Sequence, residues 1–265
     1  MKKNIINIII LLLTVFSYSQ NTKYFEAEYN IYYNTDIPQT RKAKLQIDKV
    51  NKQSIFIIGK TNESDSKSSV SATDNGLNYT IKYEDLDRFI EMDFGNLKIH
   101  SKETHRGKTY YVQDTISTLN WDLRYNDEKK IGSLLCKKAT TDYRGRKYTA
   151  WYALEIPLAY GPYKFHGLPG LIASISDSSN TFIWTIVSYK LKSVKPDFKN
   201  DEKLKPLISA QKYYSEIRYP LGSEKESIFQ SKLPKGIKLI SATSDAHIRK
   251  GVEIKFEWEE EIRED

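Results

Sequence analysis

Cysteine is almost missing from this chain: Cys136 is the only one in 265 residues. An intramolecular disulfide is therefore excluded. Histidine is scarce too, at His100, His105, His166 and His247. The first pair stands five residues apart with no carboxylate or cysteine pattern of a zinc site, and reads as solvated surface groups. No Gly-x-Ser-x-Gly elbow, no phosphate-cradling glycine loop and no His-Glu-x-x-His helix occurs, so the familiar hydrolase and nucleotide-binding signatures are absent. No cofactor is expected.

Long apolar runs are also lacking beyond the first twenty residues, which excludes a later membrane-spanning helix. The N-terminus is different. Lys2 and Lys3 precede an apolar run from Ile5 to Phe16, and Ser17-Tyr18-Ser19 sets small residues at the −3 and −1 positions of a cleavage site. Residues 1–19 read as a secretory signal peptide, and the run is short of the roughly 20 residues that an uncleaved anchor needs. No cysteine follows it for a lipid anchor. Export implies a periplasmic or secreted location and leaves residues 20–265 as one β-rich domain.

One-sided charge is lacking as well. Lys and Arg number 41 against 34 Asp and Glu, and losing Lys2 and Lys3 with the leader takes the formal charge from +7 to +5. Lysine and glutamate are interspersed, as on a solvated sheet face, and no dense basic run carries interleaved aromatics. Nucleic acid is not an expected partner.

What the chain does have is aromatic and β-branched matter. Nineteen tyrosines and ten phenylalanines tilt the balance toward strands. Phe25, Ala27, Tyr29, Ile31 and Tyr33 fall on one face of a first strand, and Ala43, Leu45 and Ile47 on one face of a second. Ile55–Ile58 is a short apolar run, and Leu77 to Tyr83 alternates again, with a polar loop over Thr61–Asn75. Short strands follow between Asp87 and Val112, with turns at Gly95-Asn96 and Arg106-Gly107. Hairpins are expected at Tyr143-Arg144-Gly145 and at Asp177–Asn180. The spacing of Leu204, Leu207, Ile208, Ala210, Tyr213, Tyr214 and Ile217 predicts a helix over Glu202–Ile217. Val252, Ile254, Phe256 and Trp258 predict a last strand. The fold class is mainly β with a minor α component: a curved antiparallel sheet or half-barrel with one or two helices.

The chain is organised around His166-Gly167-Leu168-Pro169-Gly170-Leu171-Ile172. Its two glycines can take φ > 0, and Pro169 fixes φ near −65°, so the heptapeptide reads as a stiff turn feeding a buried strand. On the φ > 0 reading, a β-branched residue at Gly170 is strained. With Gly132, Cys136-x-Lys138-Ala139, Arg146-x-Tyr148-x-Ala150-Trp151, Glu155-Ile156-Pro157 and Gly161-Pro162-x-Lys164-Phe165, this stretch resembles the GLPGLI family of exported Bacteroidetes proteins. The resemblance covers about the middle quarter of the chain. It implies a signal-bearing β-rich envelope protein, with no activity attached. The layout is also similar to the curved half-barrel of periplasmic lipoprotein carriers.

Chemistry is sparse around that stretch. Cys136 lies in an apolar setting and reads as a small buried hydrophobe, the sharper alternative being a thiol enzyme built on Cys136 and His166. His166 reads as supporting the turn by a backbone hydrogen bond, and Arg144, Arg146 and Lys147 as a solvated hairpin tip. Asp114-Thr115-Ile116 resembles a Bacteroidetes O-glycosylation acceptor, which makes Thr115 a modification candidate. The aromatic residues around the central turns are the remaining lead. If the sheet is hollow they line a cleft for a lipid-like or peptide ligand, with Trp151, Tyr163, His166, Gly167, Leu168, Pro169, Gly170, Leu171 and Ile172 as its candidate residues. The expected function is non-catalytic binding or assembly in the cell envelope, with a hydrophobic ligand or an outer-membrane protein as partner.

Overall fold

The computed structural model describes residues 23–35, 38–59, 69–73, 76–80, 87–198, 206–220 and 249–259. Residues 1–22, which contain the signal-like segment, lie outside these. So do Ile81 and Tyr83 of the expected alternation and the acidic end of the chain.

The alternating segments become strands of one open, curved sheet. They are β1 (Tyr24–Tyr33), β2 (Gln39–Asp48), β3 (Gln53–Ile58), β6 (Arg88–Asp93), β7 (Lys98–His105), β8 (Lys108–Thr115), β9 (Glu128–Ile131), β10 (Leu134–Tyr143), β11 (Arg146–Ala153), β12 (Leu171–Asp177), β13 (Phe182–Lys192) and β14 (Leu207–Ser209). A separate hairpin pairs β4 (Ser69–Thr73) with β5 (Gly76–Thr80), inside part of the expected polar loop. Across the large sheet the order is β14, β8, β7, β6, β3, β2, β1, β13, β12, β11, β10, β9. Every neighbouring pair is antiparallel except β14 with β8.

Period-2 patterning decides which face is buried. Phe25, Ala27, Tyr29 and Ile31 of β1 point to the same side as Leu45 and Ile47 of β2 and Trp184 of β13, and all are buried in the main core. The Tyr29 hydroxyl donates to the Ile172 carbonyl at 2.7 Å, tying the middle of the sheet to the start of β12. The hairpin tips follow from local chemistry. Arg106-Gly107 (φ 51° and 74°) and Arg144-Gly145 (φ 44° and 86°) are two-residue turns with both residues at positive φ, matching the right-handed twist of their strands.

Two expectations near the C-terminus need correction. Within the expected helix, Leu207–Ser209 runs as β14, alongside Tyr111–Gln113 of β8. Among the described residues of this stretch only Ala210–Lys212 (α1) is α-helical, capped by the Ser209 hydroxyl, and it runs on into a π-helical segment Tyr213–Arg218. The last expected strand is not one: 249–256 is an extended strap outside the sheet, ending in a 3₁₀ turn at Glu257–Glu259. Among the described residues no helix is long and apolar enough to cross a membrane.

Candidate functional site

Between β11 and β12 the chain makes a corner over the inner face of the sheet. Leu158, Tyr160 and Phe165 are held by short backbone bonds. Gly167 N–H donates to the Ala159 carbonyl at 3.0 Å, and Leu171 N–H to the Ile156 carbonyl at 2.9 Å. The glycines have separate jobs. Gly167 takes φ +90°, as its sequence setting suggests. Gly170 does not have a positive φ; it is required by close approach, since a Cβ there would sit 2.7 Å from the Ala153 carbonyl carbon and nearer still to its oxygen. Leu168, Leu171 and Ile172 are core residues, and Pro169 is exposed. Trp151 is half-buried against the core with the Lys129 ammonium 5.6 Å from its ring.

His166 is half-buried, with Nδ1 3.0 Å from the Lys164 carbonyl, while its own carbonyl accepts from Trp121 Nε1 at 2.8 Å. Burial lowers its pKa, more than that backbone bond raises it. Cys136 is fully buried and its thiol donates to the Leu134 carbonyl at 3.7 Å. Burial, helped by Glu155, pushes that thiol up to about 11, away from the reactive thiolate. His100, expected in solvent, is buried.

The same corner carries two residues with a different role. Tyr163 is a non-glycine residue at φ +58°, a conformation costing about 1–3 kcal/mol unless its surroundings impose it. Its neighbour Lys164 imposes it. The Lys164 ammonium is buried and binds Asp114 of β8 at 3.0 Å and Glu253 of the strap at 2.8 Å. Arg144, from the β10–β11 tip, completes the group: Nη1 reaches Asp114 at 2.6 Å and Glu253 at 3.1 Å, and Nε reaches Glu257 at 3.1 Å. The Tyr143 hydroxyl donates to the same Glu253 oxygen at 3.0 Å. Arg144 is thus no solvated tip residue. Its side chain is 3% exposed, with the rings of Phe256 and Trp258 beside it.

Two cations and two carboxylates so arranged satisfy one another in a dry interior. Burial works against the charged form of Asp114, but Lys164 and Arg144 overcome it and hold the carboxyl far below its usual range. Glu253 is lowered in the same way, against its own burial, by Lys164 and Arg144. Lys164 is raised, Glu253 and Asp114 outweighing the cost of burial. This cluster locks corner, hairpin tip, β8 and strap together. Because the Asp114 carboxylate is engaged here, it is not free beside exposed Thr115.

The roof so fixed overhangs a partly open cavity of about 240 Å³ against the inner face of the sheet. Its floor is Tyr33, Ile58, Arg88, Ile90, Glu103, Phe182 and Trp184; its roof is Tyr163 of the corner, Tyr213, Tyr214 and Arg218 of the π-helical segment, and Gly251 to Glu253 of the strap. Of the nine residues in the sequence-derived candidate set, Tyr163 alone borders this space. Burial lifts Glu103 above the ordinary carboxyl range, against the pull of Arg88 and Lys164. Glu103 and the π-helical tyrosines carry no motif; their only signal is alternation in β7 and a Tyr-Tyr pair in a segment that reads as helix.

Among the described residues no set of three or more His, Cys, Asp or Glu side chains is placed to hold a metal ion. A family model described as "Protein of unknown function (Porph_ging)" matches residues 143–174, from the β10–β11 tip through the corner into β12. It lies on the stretch that resembles the GLPGLI family but does not carry that name. No curated protein matches the chain. Among solved structures, PNGF-II is 14% identical with a TM-score of 0.46, covering 72% of this chain and 32% of its own, so that the chain spans about a third of that protein's length. A LolA-superfamily protein from Nitrosomonas europaea is 12% identical, with a TM-score of 0.30 over 69% of this chain and 92% of its own. An outer membrane lipoprotein-sorting protein domain from Vibrio parahaemolyticus is 10% identical, with a TM-score of 0.26 over 70% and 91%.

Proposed function

We propose that this chain is an exported, non-catalytic binding protein of the cell envelope that holds a small ligand between its sheet and its roof. The observation that carries the reading is the aromatic-walled cavity under the locked corner. Concave, largely preformed spaces with a few convergent polar groups are where small molecules bind. The leader-like N-terminus supports export. The cavity is smaller than the roughly 300–1,000 Å³ of sites for drug-sized ligands, so a long acyl chain fits poorly. A partner docking by strand addition has less support, because the edge strands β9 and β14 have only four and three residues. The thiol-enzyme alternative has less as well, since the Cys136 thiol bonds a carbonyl and is held protonated by burial.

The test is a thermal-shift screen of small metabolites on the native chain, repeated on Ile90→Phe, which fills the cavity. A ligand that raises the melting temperature of the parent but not of the filled variant is the expected outcome. Ligands that stabilise both equally, or none that stabilises either, would refute the reading.

A further inference from the structure

We infer that the cavity takes one neutral polyhydroxylated ring, the size of a single sugar unit; the inference rests on the cavity being a ligand site. The walls and the unmet hydrogen-bonding groups point the same way. The rings of Tyr163, Phe182, Trp184 and Tyr213 line the space, and the negative π-surface of an aromatic ring attracts the weakly positive C–H face of a saturated ring.

Around those faces stand groups whose hydrogen bonds are not made. Trp184 Nε1 is a buried donor without a partner among the described residues. The Tyr163 and Tyr213 hydroxyls and the Glu103 carboxyl line the cavity, and none has a hydrogen bond or ion pair to another described residue. Leaving such groups unmet costs free energy, so the proper occupant supplies both donors and acceptors around its edge. A hydroxyl does both, and a ring of hydroxyls does so all round.

Other occupants fit less well. An alkyl chain offers nothing to the indole N–H or the carboxylates. Arg88, Arg218 and Lys250 line the space together with Glu103 and Glu253, so charge of both signs stands in its walls. An organic cation therefore meets like charge from the arginines and the lysine, and a phosphate-like anion from both glutamates. A neutral ring avoids both conflicts.

The experiment is isothermal titration of the full chain with methyl hexopyranosides and N-acetylhexosamine. Tetramethylammonium, octanoate and inorganic phosphate are titrated alongside, each also against Ile90→Phe, Glu103→Gln and Tyr213→Phe. Sugar binding that is abolished by Ile90→Phe and weakened roughly five- to tenfold by each of the other two is expected, about the worth of one hydrogen bond. Comparing a methyl glycoside with a trisaccharide separates the two sources of such a ring, tighter binding of the trisaccharide identifying a glycan end and equal binding a free sugar. Binding of the cation, the fatty acid or phosphate with the same loss in Ile90→Phe would overturn the ligand class and leave the cavity reading standing. Sugar binding indifferent to all three variants would place the site elsewhere. No heat from any probe would overturn both.

Discussion

Gly170 shows how one residue can be required for a reason its neighbours conceal. Its backbone is not in the left-handed region, so the strain that a positive φ would impose on a bulky substituent does not arise there. What forbids a side chain is the Ala153 carbonyl, which occupies the place a Cβ would take. Gly170→Ala is predicted to destabilise by about 1–3 kcal/mol, the usual cost of overpacking, although alanine suits the backbone itself. Urea unfolding checks this; an unchanged midpoint would mean that the β11–β12 corner is loose. Sequence alone locates the residue and misjudges its cause, because a through-space approach leaves no local mark. Arg144 illustrates the same limit: an arginine at a hairpin tip reads as solvated until three acids from distant segments surround it.

The carboxyls under and around the roof also set opposite pH dependences. Asp114 and Glu253 titrate lower in the folded chain than in the unfolded one, so their stabilisation is full above the unfolded value near 4 and is lost as the pH falls below it. Glu103 is raised, so it favours the fold below the unfolded value and opposes it increasingly as the pH climbs through the folded one. Glu103→Gln, which cannot ionise, is therefore predicted to raise the melting temperature at pH 8 and to leave it nearly unchanged at pH 4. Equal shifts at both values would show that the carboxyl is not held out of water.

At the scale of elements, strands are the legible part. Alternation in β1 and β2 names the buried faces correctly, since a half-wet antiparallel sheet writes its period directly into the chain. The C-terminal third is less so. Apolar spacing over 202–217 suits a helix, yet Leu207–Ser209 gains more by pairing with the free edge of β8, a tertiary gain that outweighs local propensity. Val252–Trp258 alternates like a strand, but besides Phe256 the buried residue is Glu253, drawn in by Lys164 and Arg144. The strap is held chiefly through side chains: Arg146 Nε donates to the Gly251 carbonyl at 3.0 Å and the Tyr148 hydroxyl to the Val252 carbonyl at 2.9 Å. A stop codon in place of Arg249 tests what the strap contributes. That truncation removes Glu253 and Glu257 from the cluster and leaves two cations against Asp114. It is predicted to lower stability by about 3–5 kcal/mol, the cost of breaking a buried ion pair, and to open the cavity to a hydrophobic dye. A truncated chain as stable and as dye-free as the parent would rule out the strap as roof.

For the whole molecule, the open sheet and its roof form one arrangement. Among the described residues twelve strands curve around a main core that runs from β1–β3 across to β10–β13, and the cavity lies where Tyr33, Ile58, Ile90, Glu103, Phe182 and Trp184 face the roof. Curvature is readable from composition and alternation; which part of the concave face stays unfilled is not, because that depends on how the corner, the π-helical segment and the strap close over it. The central claim is that this space is built to be occupied. A crystal structure of the protein purified from its own envelope without refolding tests it most directly. Electron density for a small non-solvent molecule touching Tyr163, Tyr213 and Trp184 is the predicted result; side chains collapsed into the space, leaving no room for a ligand, would contradict it.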